Sequence, residues 1–408
     1  MLYSSFRLQL FGLFLYLGFL WPFSASYALG IDPVPDRGTL LSSKLLASYS
    51  KEQLNANFQR LGLQARNGVK IFSVAYQTQI ASDLSKPTQA SGLVIIPDSI
   101  ASSFPWISLQ HGTIAGKSEA PSLNPGEGLF EASQGFITTV MDYIGYGSSA
   151  ELFHPYLISK AYVPAGVDML RATRRLAAEQ ALELGPLFLK GYSEGGYATM
   201  ALQKALETEY SNEFTVRASA PSAGPYDLEV AGRAALSSPF SNPVNTTFLV
   251  LAYDRWLAPV IDLDLIFELD EESLQKLYNS GLSSEQIFRS LPFETRKLIK
   301  GEFLDDFLAA TPRIAQAGLL RQLLAIQSLN RDAWVPKTTT RLYHCAEDEI
   351  VSVQATEVTL AHFQKLNPDA PVSSVIISSP DASRPYTHGS CPLIFAPVGW
   401  FAEILSQP

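Results

Sequence analysis

The sequence predicts an α/β fold in which a mostly parallel β-sheet is covered by helices on both faces. Between residues 106 and 219, short apolar strand patterns alternate with amphipathic helix patterns, which is the order of a parallel sheet with crossover helices. A glycine-flanked serine stands where one of these strands meets the next helix. A second series of strands and helices ends the chain after a long helical stretch.

The first 28 residues have the layout of a secretory signal peptide. Arg7 is their only charged residue, residues 8–23 are mostly apolar, and Ser26 and Ala28 suit cleavage after residue 28. The apolar run is shorter than the ~20 residues that a membrane-spanning helix needs. We therefore expect a secreted or periplasmic protein; the alternative is an anchor formed by an uncleaved signal.

The composition fits a folded chain and excludes several kinds of partner. Hydrophobic residues make up 47% of the chain, and the formal net charge is -9 without any block of Lys or Arg. Nucleic-acid-binding surfaces carry clustered Lys and Arg residues, so their absence argues against a nucleic-acid partner. The five histidines lack metal-ligand spacing, and neither a phosphate loop nor a dinucleotide fingerprint occurs. We expect no metal, no cofactor and no nucleic acid; the oligomeric state stays open.

The elements before the serine follow from local patterns. Residues 40–66 look helical and polar, whereas residues 70–78 and 90–96 are rich in β-forming residues and predict an antiparallel pair. Further elements are predicted in the order strand 106–110, strand 136–142, amphipathic helix 161–181 and buried strand 186–190.

The elements after the serine divide the chain into a core and an insertion. A helix opens directly after Ser193, and a strand covers residues 214–219. Residues 228–335 carry amphipathic helical segments and turns with few strand signals, which predicts a helical lid or cap insertion. The core then comprises residues 29–227 and 336–408, and its second part is predicted as strand, helix, strand and a last helix at about 392–405.

Residues 191–195, Gly-Tyr-Ser-Glu-Gly, form a G-x-S-x-G motif between a predicted strand and a predicted helix. This is the context of the nucleophile turn of α/β-hydrolases, where the flanking glycines permit a strained backbone and expose the serine at a helix N-terminus. We therefore predict Ser193 as the nucleophile; the alternative is a structural loop.

A base and an acid should follow in the order Ser, Asp or Glu, His. Only His388 comes after the serine in a predicted loop, between the last strand and the last helix. For the acid, three carboxylates follow the strand that ends near Cys345, and we favour Asp348, which stands three residues before Val351, with Glu347 next. Asp348 would orient the imidazole, and His388 would move the proton of Ser193.

An oxyanion hole should use two backbone N–H groups. One belongs to the residue after the nucleophile, Glu194, and the other to the loop after an early strand, where Thr113 has the right place. His111 would then position that loop.

Two cysteines, Cys345 and Cys391, complete the pattern. Cys345 is three residues before Asp348 (348 − 345) and Cys391 is three residues after His388 (391 − 388). Because the acid and base loops must converge, and because export favours oxidation, we predict a disulfide between them; the alternative is two buried free thiols.

Several motifs together resemble the secretory lipase family of α/β-hydrolases, which includes fungal secreted lipases and bacterial relatives. They are GYSEGG, the His-Gly-Thr loop, MDYIGYGSS, the His-Pro-Tyr at His154 and the long helical insertion. The resemblance spans residues of about 70 to 405. It implies hydrolysis of small-molecule or lipid carboxylic esters, with a helical lid over the acyl pocket; whether this lid contacts lipid interfaces stays open. Alternatives are an exported aminopeptidase-like serine peptidase on the same fold and a non-catalytic binding relative.

Overall fold

The computed structural model describes residues 36–80, 83–257, 260–395 and 397–407 of the 408-residue chain. The predicted signal peptide, residues 1–28, lies outside the described residues. In the part of the chain that is described, no helix is long and apolar enough to cross a membrane.

One sheet organises the described residues. Its strands are β1 Leu40–Tyr49, β2 Gly68–Ile80, β3 Asp83–Asp98, β4 Ser103–Gln110, β5 Ile137–Met141, β6 Glu183–Tyr192, β7 Val216–Ser222, β8 Thr339–Cys345 and β9 Val372–Ile377. They lie in the order β1-β2-β3-β5-β4-β6-β7-β8-β9. The pairings β1–β2, β2–β3 and β3–β5 are antiparallel, and all the others are parallel. The carboxyl ends of the parallel strands therefore share one edge, which is where ligands bind in such sheets.

Helices flank this sheet and fill the chain between β7 and β8. They are α1 Lys51–Phe58, α2 Leu129–Ser133, α3 Ser159–Glu179, α4 Glu194–Thr208, α5 Leu228–Ser237, α6 Pro243–Trp256, α7 Leu263–Ile266, α8 Glu271–Tyr278, α9 Ser284–Arg289, α10 Thr295–Leu298, α11 Gly301–Leu308, α12 Ala315–Gln327, α13 Gln354–Leu366 and α14 Pro397–Ser406. Helices α5 to α12 lie within residues 228–335, the segment predicted as an insertion.

The core lies on both faces of the sheet because side chains along a strand alternate in direction. Leu187 and Leu189 of β6 join one buried cluster, to which Leu202 of α4 belongs. Phe188, between them, joins the cluster on the opposite face, where its ring lies 4.6 Å from that of Phe401 on α14. Both faces are therefore covered by helices, and the predicted α/β fold with its mostly parallel sheet is confirmed.

The helical prediction for residues 40–66 is wrong in its first part. Residues 40–49 form the edge strand β1, which pairs antiparallel with β2, and α1 begins only at Lys51. The Ser50 side chain accepts from the backbone N–H of Gln53 and so caps the helix. The leucines and the lysine of β1 favour a helix when isolated, but pairing with β2 outweighs that local preference.

Candidate active site

The serine predicted as nucleophile sits on the sharp turn between β6 and α4. Ser193 has a φ of 62° and a ψ of -124°, a backbone conformation that residues with a side chain rarely adopt. A Cβ at Gly191 would overlap the backbone of Gly195, and a Cβ at Gly195 would overlap the carbonyl group of Gln110 on β4. Close backbone contacts therefore require both glycines of the motif, and the turn leaves Ser193 at the N-terminus of α4.

His388 lies in the loop after β9 and contacts the serine. Its Nε2 is 2.9 Å from Ser193 Oγ, and its Nδ1 is 2.7 Å from Asp348 Oδ2. The ring of Tyr192 packs against the imidazole with 5.0 Å between centroids, and its hydroxyl donates to the His388 carbonyl oxygen at 2.8 Å. The residues predicted as nucleophile, base and acid thus come together in one chain of hydrogen bonds.

The acidic segment after β8 directs its three carboxylates to three different donors. Asp348 faces the imidazole of His388, whereas Glu349 accepts from the backbone N–H of His388 at 2.8 Å. Glu347 accepts from the backbone N–H of Ser379 at 3.2 Å. The geometry therefore selects Asp348 over Glu347 as the partner of the imidazole, and the other two carboxylates hold the surrounding loops.

Asp348 is buried but well supplied with donors. Its Oδ1 accepts from the backbone N–H groups of Ile350 and Val351 at 3.0 and 2.8 Å, and His344 Nε2 lies 3.4 Å from its Oδ2. Burial by itself raises the pKa of Asp348, but the hydrogen bonds from His344 and His388 and the charge of His388 outweigh it. The pKa of Asp348 therefore lies well below its usual range, and the carboxylate stays ionised.

His344 and Tyr192 also contact the site, although neither was predicted to belong to it. His344 Nδ1 faces the hydroxyl of Thr356 at 2.7 Å, and its Nε2 faces the carbonyl oxygen of Val351 at 2.9 Å. The available signal was its place at the carboxyl end of β8, four residues before Asp348. Tyr192 offered a weaker signal, because it occupies a position of the G-x-S-x-G motif at which any residue is allowed.

Both residues predicted for the oxyanion hole belong to segments that adjoin the serine. Thr113 and Gly112 line the cavity that reaches Ser193. Glu194 begins α4, where the first backbone N–H groups of a helix have no intrahelical partner. His111 lies at the start of the same loop, and its Nδ1 is 2.7 Å from the Gly112 carbonyl oxygen.

Cys345 and Cys391 form a disulfide with their Cα atoms 6.0 Å apart. Both residues are fully buried. Among the described residues, no group of His, Cys, Asp or Glu is arranged to hold a metal ion.

A cavity of about 400 Å³ opens at the serine and His388, and its volume is within the range of small-molecule sites. Its far wall comes from the helical segment between β7 and β8, through Asn242, Val244, Asn245, Ser284 and Phe288. A second cavity of about 280 Å³ lies beyond Gly112, Tyr192 and Pro392, residues that both cavities share. The wall of this second cavity is mostly apolar and includes Phe58, Leu63, Phe130 and Phe395.

No protein-family model and no curated protein matches the sequence. Solved structures do resemble it. The rice cell wall degrading esterase LipA from Xanthomonas oryzae is 26% identical, with a TM-score of 0.77 over 91% of this chain and 98% of that one. A Legionella pneumophila protein with a provisional assignment as a hydrolase is 23% identical, with a TM-score of 0.78 over 90% of this chain and 98% of that one.

Candida antarctica lipase A in its closed state is more distant, at 18% identity and a TM-score of 0.63 over 90% of this chain and 81% of that one. These structures show that the chain has the α/β-hydrolase fold. The resemblance to the secretory lipase family, first seen in the sequence motifs, therefore holds.

Proposed function

We propose that this protein is an exported serine hydrolase that cleaves carboxylic esters through an acyl-enzyme intermediate. One observation carries the proposal: Ser193 Oγ, at the N-terminus of α4, lies 2.9 Å from His388 Nε2, whose Nδ1 lies 2.7 Å from a buried carboxylate. This arrangement matches the geometry that acyl transfer by a Ser-His-Asp triad requires. The likeness to an esterase at 26% identity adds support for ester chemistry.

In the first half-reaction, Ser193 forms a bond to the acyl carbon of the ester while its proton passes to His388 Nε2. Asp348 accepts from Nδ1–H, which leaves Nε2 free to act as the base and stabilises the imidazolium that forms. The ionised state of Asp348, favoured by its lowered pKa, is the state this role needs. The backbone N–H groups of Glu194 and Thr113 would stabilise the oxyanion.

The tetrahedral intermediate then collapses, and the bond to the alkoxide oxygen breaks. His388 gives its proton to that oxygen, so that an alcohol leaves and an acyl group stays on Ser193. In the second half-reaction a water molecule takes the place of the alcohol. His388 accepts its proton, and the acid product leaves as the proton returns to Ser193.

The helical segment of residues 228–335 would act as the cap that shapes the substrate pocket. Support comes from α6 and α9, whose side chains line the cavity opposite the serine. Val244 and Phe288 offer apolar contact, whereas Asn245 and Glu285 offer polar groups. This mixed wall suits an ester with a short or medium acyl chain, and contact of the cap with a lipid interface would be a second role.

Export is supported by the layout of residues 1–28 and by the disulfide. Disulfides persist in oxidising compartments such as the periplasm or the extracellular space. Both observations are compatible with a secreted or periplasmic enzyme.

Hydrolysis of p-nitrophenyl esters, from acetyl to palmitoyl, tests the proposal when wild type is compared with Ser193→Ala. We expect turnover with an optimum at short or medium acyl chains, and loss of turnover in the variant. Wild-type protein without activity on any ester would contradict ester hydrolysis. Activity on aminoacyl anilides in that case would favour the exported peptidase.

A further inference from the structure

Next to the proposed oxyanion hole lies a buried carboxyl group that the mechanism above does not use. The side chain of Glu194 points into the core, and the residue is 1% exposed. Its Oε1 accepts from the Tyr162 hydroxyl at 2.9 Å and lies 2.7 Å from His154 Nε2. Its Oε2 is buried without a hydrogen-bond partner among the described residues. The carboxyl group of Glu194 thus faces the interior, whereas its backbone N–H would serve the oxyanion hole.

The contacts of His154 fix how many protons this pair holds. The residue is 3% exposed, and its Nδ1 lies 2.8 Å from the carbonyl oxygen of Ile144. Because a carbonyl oxygen can only accept, Nδ1 carries a proton. Nε2 faces Glu194 Oε1, and one proton between these two atoms makes their hydrogen bond. Whichever atom holds that proton, Glu194 and His154 together are neutral, and burial disfavours any net charge on the pair.

The other titratable groups around the pair are mainly tyrosines. They are Tyr143 and Tyr146 after β5, Tyr156 in the next loop, Tyr162 on α3, Tyr197 on α4, Tyr253 on α6 and Tyr278 on α8. Burial raises the pKa of each of these tyrosines above its usual range, so they stay neutral. The ring centroid of His111 lies 4.0 Å from that of Tyr143, and the charges of Glu127 and Glu119 act on Tyr143 and Tyr146, respectively. His154 is therefore the basic side chain that the described contacts place against Glu194.

Three of these tyrosines also hold the loop that carries Thr113, the second N–H donor of the proposed oxyanion hole. The Tyr143 hydroxyl donates to the His111 carbonyl oxygen at 2.8 Å, and the Tyr146 hydroxyl donates to the Ile114 carbonyl oxygen. The Tyr156 hydroxyl forms a hydrogen bond with the Thr113 hydroxyl at 3.0 Å. The ring of Tyr143 in turn stacks on His154 with 5.5 Å between centroids. One packed cluster thus connects both proposed N–H donors.

We propose that Glu194 and His154 form a charge-neutral positioning pair for the oxyanion hole. The pair anchors the first peptide of α4 against the cluster that holds Thr113. It also removes the negative charge that an ionised Glu194 alone would place close to the developing oxyanion. This inference rests on the proposed function, because it assigns the two side chains a task in the same reaction. Their side chains act through the Glu194 peptide, so they are positioning residues.

The variant His154→Phe tests the charge balance, because it leaves Glu194 buried without its proton-sharing partner. The readout is the rate at which a fluorophosphonate probe labels the protein, measured as a function of pH. At acidic pH the lone carboxyl group is protonated, whereas at alkaline pH it ionises next to the oxyanion. We expect the labelling rate to fall at alkaline pH by on the order of 10- to 100-fold relative to wild type.

The double variant His154→Phe/Glu194→Gln supplies the rescue. Gln has the shape of Glu but cannot ionise, so the fall in labelling rate at alkaline pH should disappear. Glu207→Gln is a matched control at the other end of α4. Glu207 is also buried and accepts from the Trp334 indole and the Lys337 backbone. This control should lower the free energy of unfolding and keep the wild-type pH profile of labelling.

Fluorophosphonate labelling needs no particular substrate, so the two proposals can fail separately. Wild-type protein that is labelled but cleaves no ester would contradict ester hydrolysis and leave this test intact. A folded His154→Phe variant with the wild-type pH profile, or a double variant that keeps the alkaline fall, would overturn the positioning pair. If the single variant does not fold, the double variant should recover the fold; its failure would equally contradict a charge-balancing role.

Discussion

The disulfide between Cys345 and Cys391 joins the loop that carries Asp348 to the loop that carries His388. The first cysteine ends β8 and the second begins the turn that follows the histidine. The two cysteines are 46 positions apart in the chain. The covalent bond and the Asp348–His388 hydrogen bond therefore connect the same two loops.

Replacing both cysteines by alanine should lower the free energy of unfolding by about 4 kcal/mol, the chain-entropy value for a loop of this length. We also expect a lower kcat, because the loop of His388 becomes less constrained. Urea unfolding of wild type and variant, with kcat measured on the folded fractions, checks both effects. Equal stability of the two proteins would show that the bond does not constrain these loops.

Asp348→Asn should lower kcat by on the order of 10⁴-fold in a variant that still folds at neutral pH, because an amide cannot hold the imidazole in the required tautomer. Glu347→Gln is the matched control, since this neighbour bonds to Ser379 and not to the imidazole. Its kcat should stay near wild type. A larger loss of kcat in Glu347→Gln than in Asp348→Asn would identify Glu347 as the acid that orients His388.

The lowered pKa of Asp348 predicts a loss of stability in acid. A carboxyl group whose pKa is lower in the folded than in the unfolded chain stabilises the fold above the unfolded-state value of about 4, and the benefit is lost as pH falls toward the folded value. The difference in unfolding free energy between wild type and Asp348→Asn should therefore shrink below about pH 4. Urea unfolding across this range measures it, and a constant difference would contradict the assigned shift.

Gly195→Ala should destroy activity, because its Cβ would overlap the Gln110 carbonyl group. The turn would have to open, so we expect labelling of Ser193 to disappear and the free energy of unfolding to fall. Gly318→Ala is the control, since that glycine lies in α12 and a Cβ there would meet no other atom within 4 Å. This second variant should gain about 0.5–1 kcal/mol from helix propensity. Activity retained in Gly195→Ala would mean that the turn tolerates a side chain.

Local patterns in the sequence were sufficient for much of the fold and for several residues of the candidate site. The strand, the glycines and the helix around Ser193 are contiguous in the chain, and the loop positions of Asp348 and His388 follow from sheet topology. The contacts of His344 and of His154 could not be predicted, because they depend on side-chain packing between segments that are distant in the chain. Strand β1 was missed for a related reason, since its helix-forming residues extend only by pairing with β2.

The most direct test of the account is to locate the site of fluorophosphonate labelling by mass spectrometry. Trypsin should release residues 191–204, which contain Ser193 as their single serine. We expect the added mass on this peptide in the native protein, and no label after denaturation or in Ser193→Ala. Label on a different peptide, or none on the folded wild-type protein, would contradict the central claim that Ser193 is the activated nucleophile.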